Sequence, residues 1–260
     1  MDLGLKDKVA LVAAASKGLG YGVAHALANE GARVSMCSRD ADAIGAAASR
    51  LNADTGALVL ATTCDVRDAA SIQHWVDRTV AEWGHIDALF VNAGGPPTGF
   101  FREITDEQWQ KAFELTLLSS VRTIRAALPH MTTGSAIVVS TSSSVREPIE
   151  RLGLSTVMRS GVAGLVKTLA DELAIDGIRI NNLMPGRIYT ERIDELDRDA
   201  ASKQGLTVEE IRQRSIGRIP LRRLGTVDEY GAAAAFLLSP AASYITGASL
   251  RVDGGSMRSI

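Results

Sequence analysis

A short loop near the amino terminus could bind a phosphate group. Residues 14–20 read Ala-Ala-Ser-Lys-Gly-Leu-Gly, between an apolar run and an alanine-rich helical pattern. Because they lack Cβ atoms, Gly18 and Gly20 let backbone N–H groups at the helix start approach an anion, and the helix dipole favours its negative charge. The position between a first strand and a helix favours a dinucleotide pyrophosphate. The alternative is a tight turn that binds no ligand.

The elements around this loop follow a regular alternation. Short apolar runs predict strands at 9–14, 33–37, 57–64, 88–92, 136–140, 179–184 and 249–252. Amphipathic stretches predict helices at about 19–30, 40–54, 68–83, 105–131, 155–175 and 226–238. Strands joined by helical crossovers pair in parallel with right-handed connections. The sequence therefore predicts an α/β fold over 1–260, a single Rossmann-type doubly wound domain whose seven-stranded parallel sheet has helices on both faces.

Two segments interrupt the alternation. Residues 94–99 (GGPPTG) form a turn-rich loop directly after a strand, and residues 187–223 are rich in arginine with only short helical patterns. Ligands of such sheets bind beyond the carboxyl ends of the strands, where both segments emerge. We expect 187–223 to be an irregular lid that closes over a ligand. The alternative is an ordered surface for subunit contact.

Composition argues against several classes of partner. The 260 residues carry 28 basic and 30 acidic side chains, a net charge of −2, which predicts no nucleic acid and no membrane as partner. The apolar runs fall far short of the ~18 residues of a membrane span, so a cytoplasmic location is expected. Cys37 and Cys64 are expected to be reduced core residues. The four histidines lack metal-ligand spacing, so no metal site is predicted.

Several motifs follow one another in order over nearly the whole chain. They are the 14–20 loop, Cys64-Asp65-Val66, Asn92-Ala93-Gly94, Pro185-Gly186-x-Ile188-x-Thr190, and the stretch 244–255 that ends in Asp-Gly-Gly. Together the chain resembles the short-chain dehydrogenase/reductase family, and within it the 3-oxoacyl-carrier-protein reductases. The family loop reads Thr-Gly-x-x-x-Gly-x-Gly, and Ala14 replaces its first glycine. A methyl group there should tighten the space beside the dinucleotide.

The resemblance implies a dinucleotide site. Its residues would be Ser16, Lys17, Gly18, Leu19, Gly20, Arg39, Asp65, Val66, Asn92, Ala93, Gly94, Arg159, Pro185, Gly186, Ile188 and Thr190. At the end of the second strand, a cation accommodates a 2′-phosphate and a carboxylate accepts hydrogen bonds from ribose hydroxyls. Arg39, together with Lys17 from the glycine loop, favours NADP over NAD. The competing interpretation is that Asp40 reaches the ribose.

The family's reaction uses a tyrosine, a lysine four positions later, a serine and an asparagine. When the chain is registered by residues 161–173, the tyrosine position is Ser155 and the lysine position is Arg159. The serine position is Ser142 and the asparagine position is Thr116. Only Ser142 therefore keeps the family's residue type. Ser155 and Arg159, at i and i+4, still share one helix face.

The resemblance implies an NADP(H)-dependent oxidoreductase that interconverts a carbonyl and an alcohol on a small molecule and works as a homo-oligomer, a tetramer or a dimer. In such a site a water near Ser142 and Ser155 would supply the proton. The alternative is an NADP(H)-binding sensor or scaffold with weak or no turnover, because loss of a positioned acid lowers the rate by about 10²–10⁴-fold.

Tyr189 is the one tyrosine that is expected near the nicotinamide. The favoured interpretation is that it is a lid residue whose side chain points elsewhere. The loop between Ser142 and Ser155 carries the charged residues Arg146, Glu147, Glu150 and Arg151. They could contact an acidic substrate or supply a carboxylic acid, but a solvated loop is favoured.

Overall fold

The computed structural model describes residues 2–259 and contains one parallel sheet. Its strands are β1 (Val9–Val12), β2 (Arg33–Ser38), β3 (Val59–Thr63), β4 (Ile86–Val91), β5 (Met131–Ser140), β6 (Arg179–Pro185) and β7 (Ser249–Val252). They pair in parallel in the order β3-β2-β1-β4-β5-β6-β7. The predicted seven-stranded parallel sheet is confirmed. The strand order reverses between β1 and β4, which opens a crevice at their carboxyl ends.

Helices cover both faces of the sheet. They are α1 (Gly18–Asn29), α2 (Ala41–Thr55), α3 (Ala69–Trp83), α4 (Asp106–Ala112), α5 (Ser119–Ala127), α6 (Gly153–Glu172), α7 (Glu191–Gln204), α8 (Val208–Gly217) and α9 (Val227–Leu238). One apolar cluster packs α1, α2 and α9 against one face, and a second packs α3, α5 and α6 against the other. A π-helical segment, Phe113–Leu118, separates α4 from α5, where the sequence predicted one continuous helix.

The central strands are buried on both faces. All four residues of β1 are inaccessible to solvent, and Ile137 and Val138 of β5 are equally buried. This burial explains why the strands read as continuous apolar runs rather than as alternating patterns. The edge strand β7 leaves Ser249, Leu250 and Arg251 exposed.

The expectation of an irregular segment at 187–223 is wrong, because it contains the helices α7 and α8. Asp197 is completely buried and pairs with Arg187 beside the end of β6. Arg212 of α8 lies 3.7 Å from the same carboxylate and 2.6 Å from Asp194. Charged pairs thus join α7 to the segment after β6 and α8 to α7, beside the buried apolar residues Ala201 and Ile211. Periodicity of apolar residues could not detect such an arrangement.

Some features of the described chain bear on the expected partners. Within residues 2–259 no helix is both long and apolar enough to cross a membrane. Cys37 and Cys64 are buried and are not joined by a disulfide. In the same residues no three His, Cys, Asp or Glu side chains cluster as metal ligands would.

Candidate active site

A cavity of about 1640 Å³ lies at the carboxyl edge of the sheet. The residues that follow each of the strands β1 to β6 form its walls, and α7 covers part of it. Every residue predicted to bind the cofactor lines this cavity except Gly20. Ser142, Ser155 and Arg159 line it as well. The fold therefore brings together residues that lie more than a hundred positions apart.

The glycine loop presents a free helix terminus to the cavity. Helix α1 begins at Gly18, whose φ is 60°, in the left-handed region that favours glycine. Lys17 precedes the helix without capping it by a side chain, and the first turn contains no acidic residue. Its N–H groups are thus available to an anion. Gly20 lies beneath the loop, where a Cβ atom would stand 2.3 Å from the Ala14 carbonyl oxygen.

Ala14 adopts a left-handed backbone conformation, with φ at 51°. A left-handed alanine costs roughly 1–2 kcal/mol because its Cβ crowds the following carbonyl group. Ala14 also lines the cavity. A residue with a Cβ atom at this position therefore strains the backbone of the loop.

Replacing this alanine by glycine tests the strain. We expect Ala14→Gly to raise the free energy of unfolding by about 1 kcal/mol, because relief of the left-handed strain outweighs the added freedom of the unfolded chain. Urea denaturation followed by circular dichroism measures it. The matched control is Ala13→Gly, at a fully buried neighbour without positive φ, which should lower the stability. A lower unfolding midpoint for Ala14→Gly would contradict the assignment of strain.

At the adenosine end of the cavity the two competing residues have different partners. The Asp40 carboxylate caps α2 by accepting a hydrogen bond from the Ala43 N–H at 2.9 Å. Arg39 is exposed, and no carboxylate in the described part of the chain lies within salt-bridge distance of it. Lys17 pairs with Glu191 of α7. The expectation of a 2′-phosphate partner therefore depends mainly on Arg39.

Three of the four positions predicted to be catalytic lie where β5 ends and α6 begins. The Ser142 hydroxyl oxygen accepts a hydrogen bond from the Ser144 N–H at 3.1 Å, which leaves its proton free to donate into the cavity. Ser155 stands in the first turn of α6, with Arg159 one turn later. Arg159 is only 9% exposed and donates to the Ser140 carbonyl oxygen at 2.9 Å. Burial lowers the pKa of the Arg159 guanidinium.

Two buried side chains near this site do not reach the cavity. The prediction that Thr116 belongs to the site is wrong, because the neighbouring Leu115 lines the cavity and Thr116 does not. The Thr116 hydroxyl is buried in the π-helical segment without a hydrogen-bond partner. Tyr230 lies behind Ser140, 2.8 Å between hydroxyl oxygens, and burial raises the pKa of its phenol well above the usual range. Neither residue is placed to touch a substrate.

The loop between Ser142 and Ser155 is more ordered than expected. The Glu147 carboxylate accepts hydrogen bonds from the backbone N–H groups of Arg258 and Ser259, at 2.6 and 2.7 Å. The Arg151 guanidinium lies over the Phe100 ring at 4.6 Å. The expectation of a solvated loop is therefore wrong for these two residues. Tyr189 lines the cavity, but its ring faces Arg212 at 5.8 Å.

Arg192 is a site residue that the sequence analysis missed. It lies in the first turn of α7, two positions after Thr190, and lines the cavity. It donates to the Pro96 carbonyl oxygen at 3.0 Å, so it joins α7 to the loop after β4. Its position, two residues after the predicted cofactor residue Thr190, could have indicated that Arg192 lies at the site.

A family model described as enoyl-(acyl carrier protein) reductase matches residues 13–257, nearly the whole chain. The chain belongs to the short-chain dehydrogenase/reductase family. One relative is the tropinone reductase-like 3 protein of Erythroxylum coca, 33% identical over 252 residues, with 96% of this chain and 93% of the relative covered.

Solved structures of other short-chain dehydrogenases/reductases share the fold. The L-sorbose reductase of Gluconobacter frateurii, complexed with NADPH and L-sorbose, superimposes with a TM-score of 0.94 at 28% identity, over 100% of both chains. An NADPH-bound short-chain oxidoreductase of Pseudomonas aeruginosa PAO1, described as containing an atypical catalytic center, gives 0.90 at 31% identity, over 99% of both chains.

Proposed function

We propose that this protein is an NADP(H)-dependent oxidoreductase that interconverts a carbonyl and an alcohol with an atypical site of Ser142, Ser155 and Arg159. The observation that carries the proposal is the buried Arg159 guanidinium, which lines the cavity beside Ser142 and has one hydrogen bond within the protein. A buried cation without a carboxylate is costly unless a ligand completes its environment.

The residues present fit NADP. The free N–H groups of α1 suit a pyrophosphate, and the Ala14 carbonyl can approach Gly20 only because that residue lacks a Cβ atom. Arg39 suits the 2′-phosphate, because it is exposed and has no carboxylate partner in the described chain. The NADPH complexes of two related structures support the same assignment. When bound, NADPH supplies the hydride that reduces the carbonyl carbon.

The protein's own groups would act on the carbonyl oxygen. Ser142 donates its free proton in a hydrogen bond to that oxygen, and the Arg159 guanidinium stabilises the negative charge that develops on it. Arginine stays protonated, so it is a poor proton donor. Ser155 has a weakly acidic hydroxyl and is shorter than tyrosine by a ring. We infer that a water held near Ser142 and Ser155 delivers the proton and returns hydroxide to the solvent.

The test is oxidation of NADPH with a panel of aldehydes and ketones at high enzyme concentration. We expect slow turnover that falls by about 10²–10³-fold in Arg159→Met, as for loss of one oxyanion donor. The matched control is Arg146→Met, an exposed arginine on the loop outside the cavity lining, which should keep the rate. Tight NADPH binding without any turnover would instead support the second candidate, a dinucleotide-binding sensor or scaffold, which the replaced tyrosine and lysine favour.

We also propose that the protein works as a homo-oligomer, a dimer or a tetramer. Support comes from apolar side chains left exposed on two outward surfaces. Val157 of α6 is 54% exposed and Leu250 of the edge strand β7 is 38% exposed. Association of either surface would remove apolar area from water.

A further inference from the structure

The cations of the cavity divide into paired and unpaired groups. Eight lysine and arginine side chains line it, and six lie within salt-bridge distance of a carboxylate. The pairs are Lys17 with Glu191, Arg67 with Asp65, Arg151 with Glu103, Arg187 with Asp197, Arg192 with Glu195, and Lys203 with Asp199. In residues 2–259 the two without such a partner are Arg39 and Arg159. They lie at opposite ends of the cavity, and the 2′-phosphate accounts for Arg39 alone.

Arg159 shares its end of the cavity with Arg192. The partner of Arg192 is Glu195 at 3.2 Å, whose side chain is 55% exposed and therefore well solvated. Both guanidinium groups line the cavity. Burial lowers the pKa of Arg159, Tyr230 raises it, and the positive charge of Arg192 lowers it, so the two guanidinium groups repel one another. Nearby Asp199 does not relieve this repulsion, because Lys203 and Thr98 already bind it. Glu150 is exposed at the rim.

Two guanidinium groups that line one cavity and repel one another favour an anion between them. A ribose hydroxyl can accept from one N–H of Arg159, but it carries no charge to offset the second cation. A carboxylate offers two charged acceptor oxygens and matches the planar fork of arginine. Phosphate would fit the charge as well, but a carboxylate can lie directly beside the reacting carbonyl.

We propose that the substrate is an oxo acid, with a carboxylate close to the carbonyl that is reduced. Arg192 binds the carboxylate and sets specificity, while Arg159 and Ser142 face the carbonyl oxygen. This assignment rests on the proposed reductase function, which it deepens by naming the substrate class.

The experiment compares charged and neutral forms of one substrate. Rates of NADPH oxidation are measured with 2-oxobutyrate, 2-oxohexanoate and 3-oxobutyrate, each against its methyl ester. We expect kcat/KM to favour the acid by more than tenfold for at least one pair. Arg192→Met should reduce kcat/KM for the acid by about tenfold to hundredfold, mostly through KM, so that the preference for the acid over its ester is lost. Arg192→Lys should retain part of the preference because it keeps the charge.

The matched control is Arg198→Met, because Arg198 is an exposed arginine on the same helix that does not line the cavity. It should leave the acid preference unchanged. Equal rates for acid and ester, or an acid preference that survives Arg192→Met in folded protein, would overturn the proposal.

Binding separates this proposal from the proposed function. Each oxo acid is titrated into the protein–NADPH complex, and quenching of nicotinamide fluorescence is followed. Binding that is lost in Arg192→Met, without reduction of any carbonyl, would support the anion site and contradict only the reductase function. Reduction of neutral carbonyls with no binding of any oxo acid would contradict only the oxo-acid site.

Discussion

Restoring the family's acid is expected to speed carbonyl reduction by about 10²–10⁴-fold, the usual contribution of a positioned proton donor. The change is the double variant Ser155→Tyr with Arg159→Lys. Ser155 lines the cavity in the first turn of α6. We therefore expect a tyrosine at this position to extend its hydroxyl into the cavity that Ser142 also lines. A lysine one turn later would place its ammonium group near that tyrosine and lower its pKa, whereas the Arg159 guanidinium is held by the Ser140 carbonyl oxygen. Steady-state oxidation of NADPH with the carbonyl panel measures the gain.

The single variants and the pH profile identify the cause. Ser155→Tyr alone should gain less than the double variant, since its tyrosine would keep a higher pKa. In the double variant, the reduction rate should fall as the pH rises through the tyrosine pKa, because the donor proton is then lost. Loss of native activity with unchanged NADPH affinity would mean that the site performs a different reaction. If none of these variants altered binding or turnover, the register that places Ser155 and Arg159 would be wrong.

NADPH is expected to bind at least tenfold more tightly than NADH, a difference of about 1.4 kcal/mol. Arg39 has no carboxylate partner in the described chain, so its full charge is available to a 2′-phosphate. One oxygen of the Asp40 carboxylate accepts from the Ala43 N–H at the start of α2, so this side chain is held at the helix terminus. Arg39→Asp should therefore shrink the difference. Isothermal titration with both dinucleotides measures it.

A nearby arginine serves as the control for general charge effects. Arg50 of α2 is exposed, lies over the Tyr21 ring at 5.0 Å and does not line the cavity. Arg50→Met should leave the ratio of the two affinities unchanged. Equal affinities of the unmutated protein for NADPH and NADH would exclude a 2′-phosphate site at Arg39.

Much of the fold could be predicted because its signals are local. The central strands are buried on both faces, so each reads as a continuous apolar run that needs no partner to be recognised. The glycine loop was predicted from a local signal as well, because Gly18 and Gly20 follow the apolar run of β1 and lie at the start of α1. Helices α7 and α8 were missed because a position that faces the protein interior carries a charge. Asp197 is buried in an ion pair with Arg187, and a search for periodic apolar residues does not detect such a position.

The sequence by itself determined the parallel sheet and the glycine loop between β1 and α1. That Ser155 and Arg159 stand at the family's tyrosine and lysine positions stays a prediction. Only the tertiary structure decided which charges meet. It paired Lys17 with Glu191, held Arg192 against Pro96, and left Arg159 buried without a carboxylate in the described chain. Such pairings join residues far apart along the chain, and their strength depends on distance and burial, which packing alone sets. The left-handed conformation of Ala14 was also decided by the tertiary structure, because the surrounding fold imposes a backbone conformation that alanine disfavours on its own.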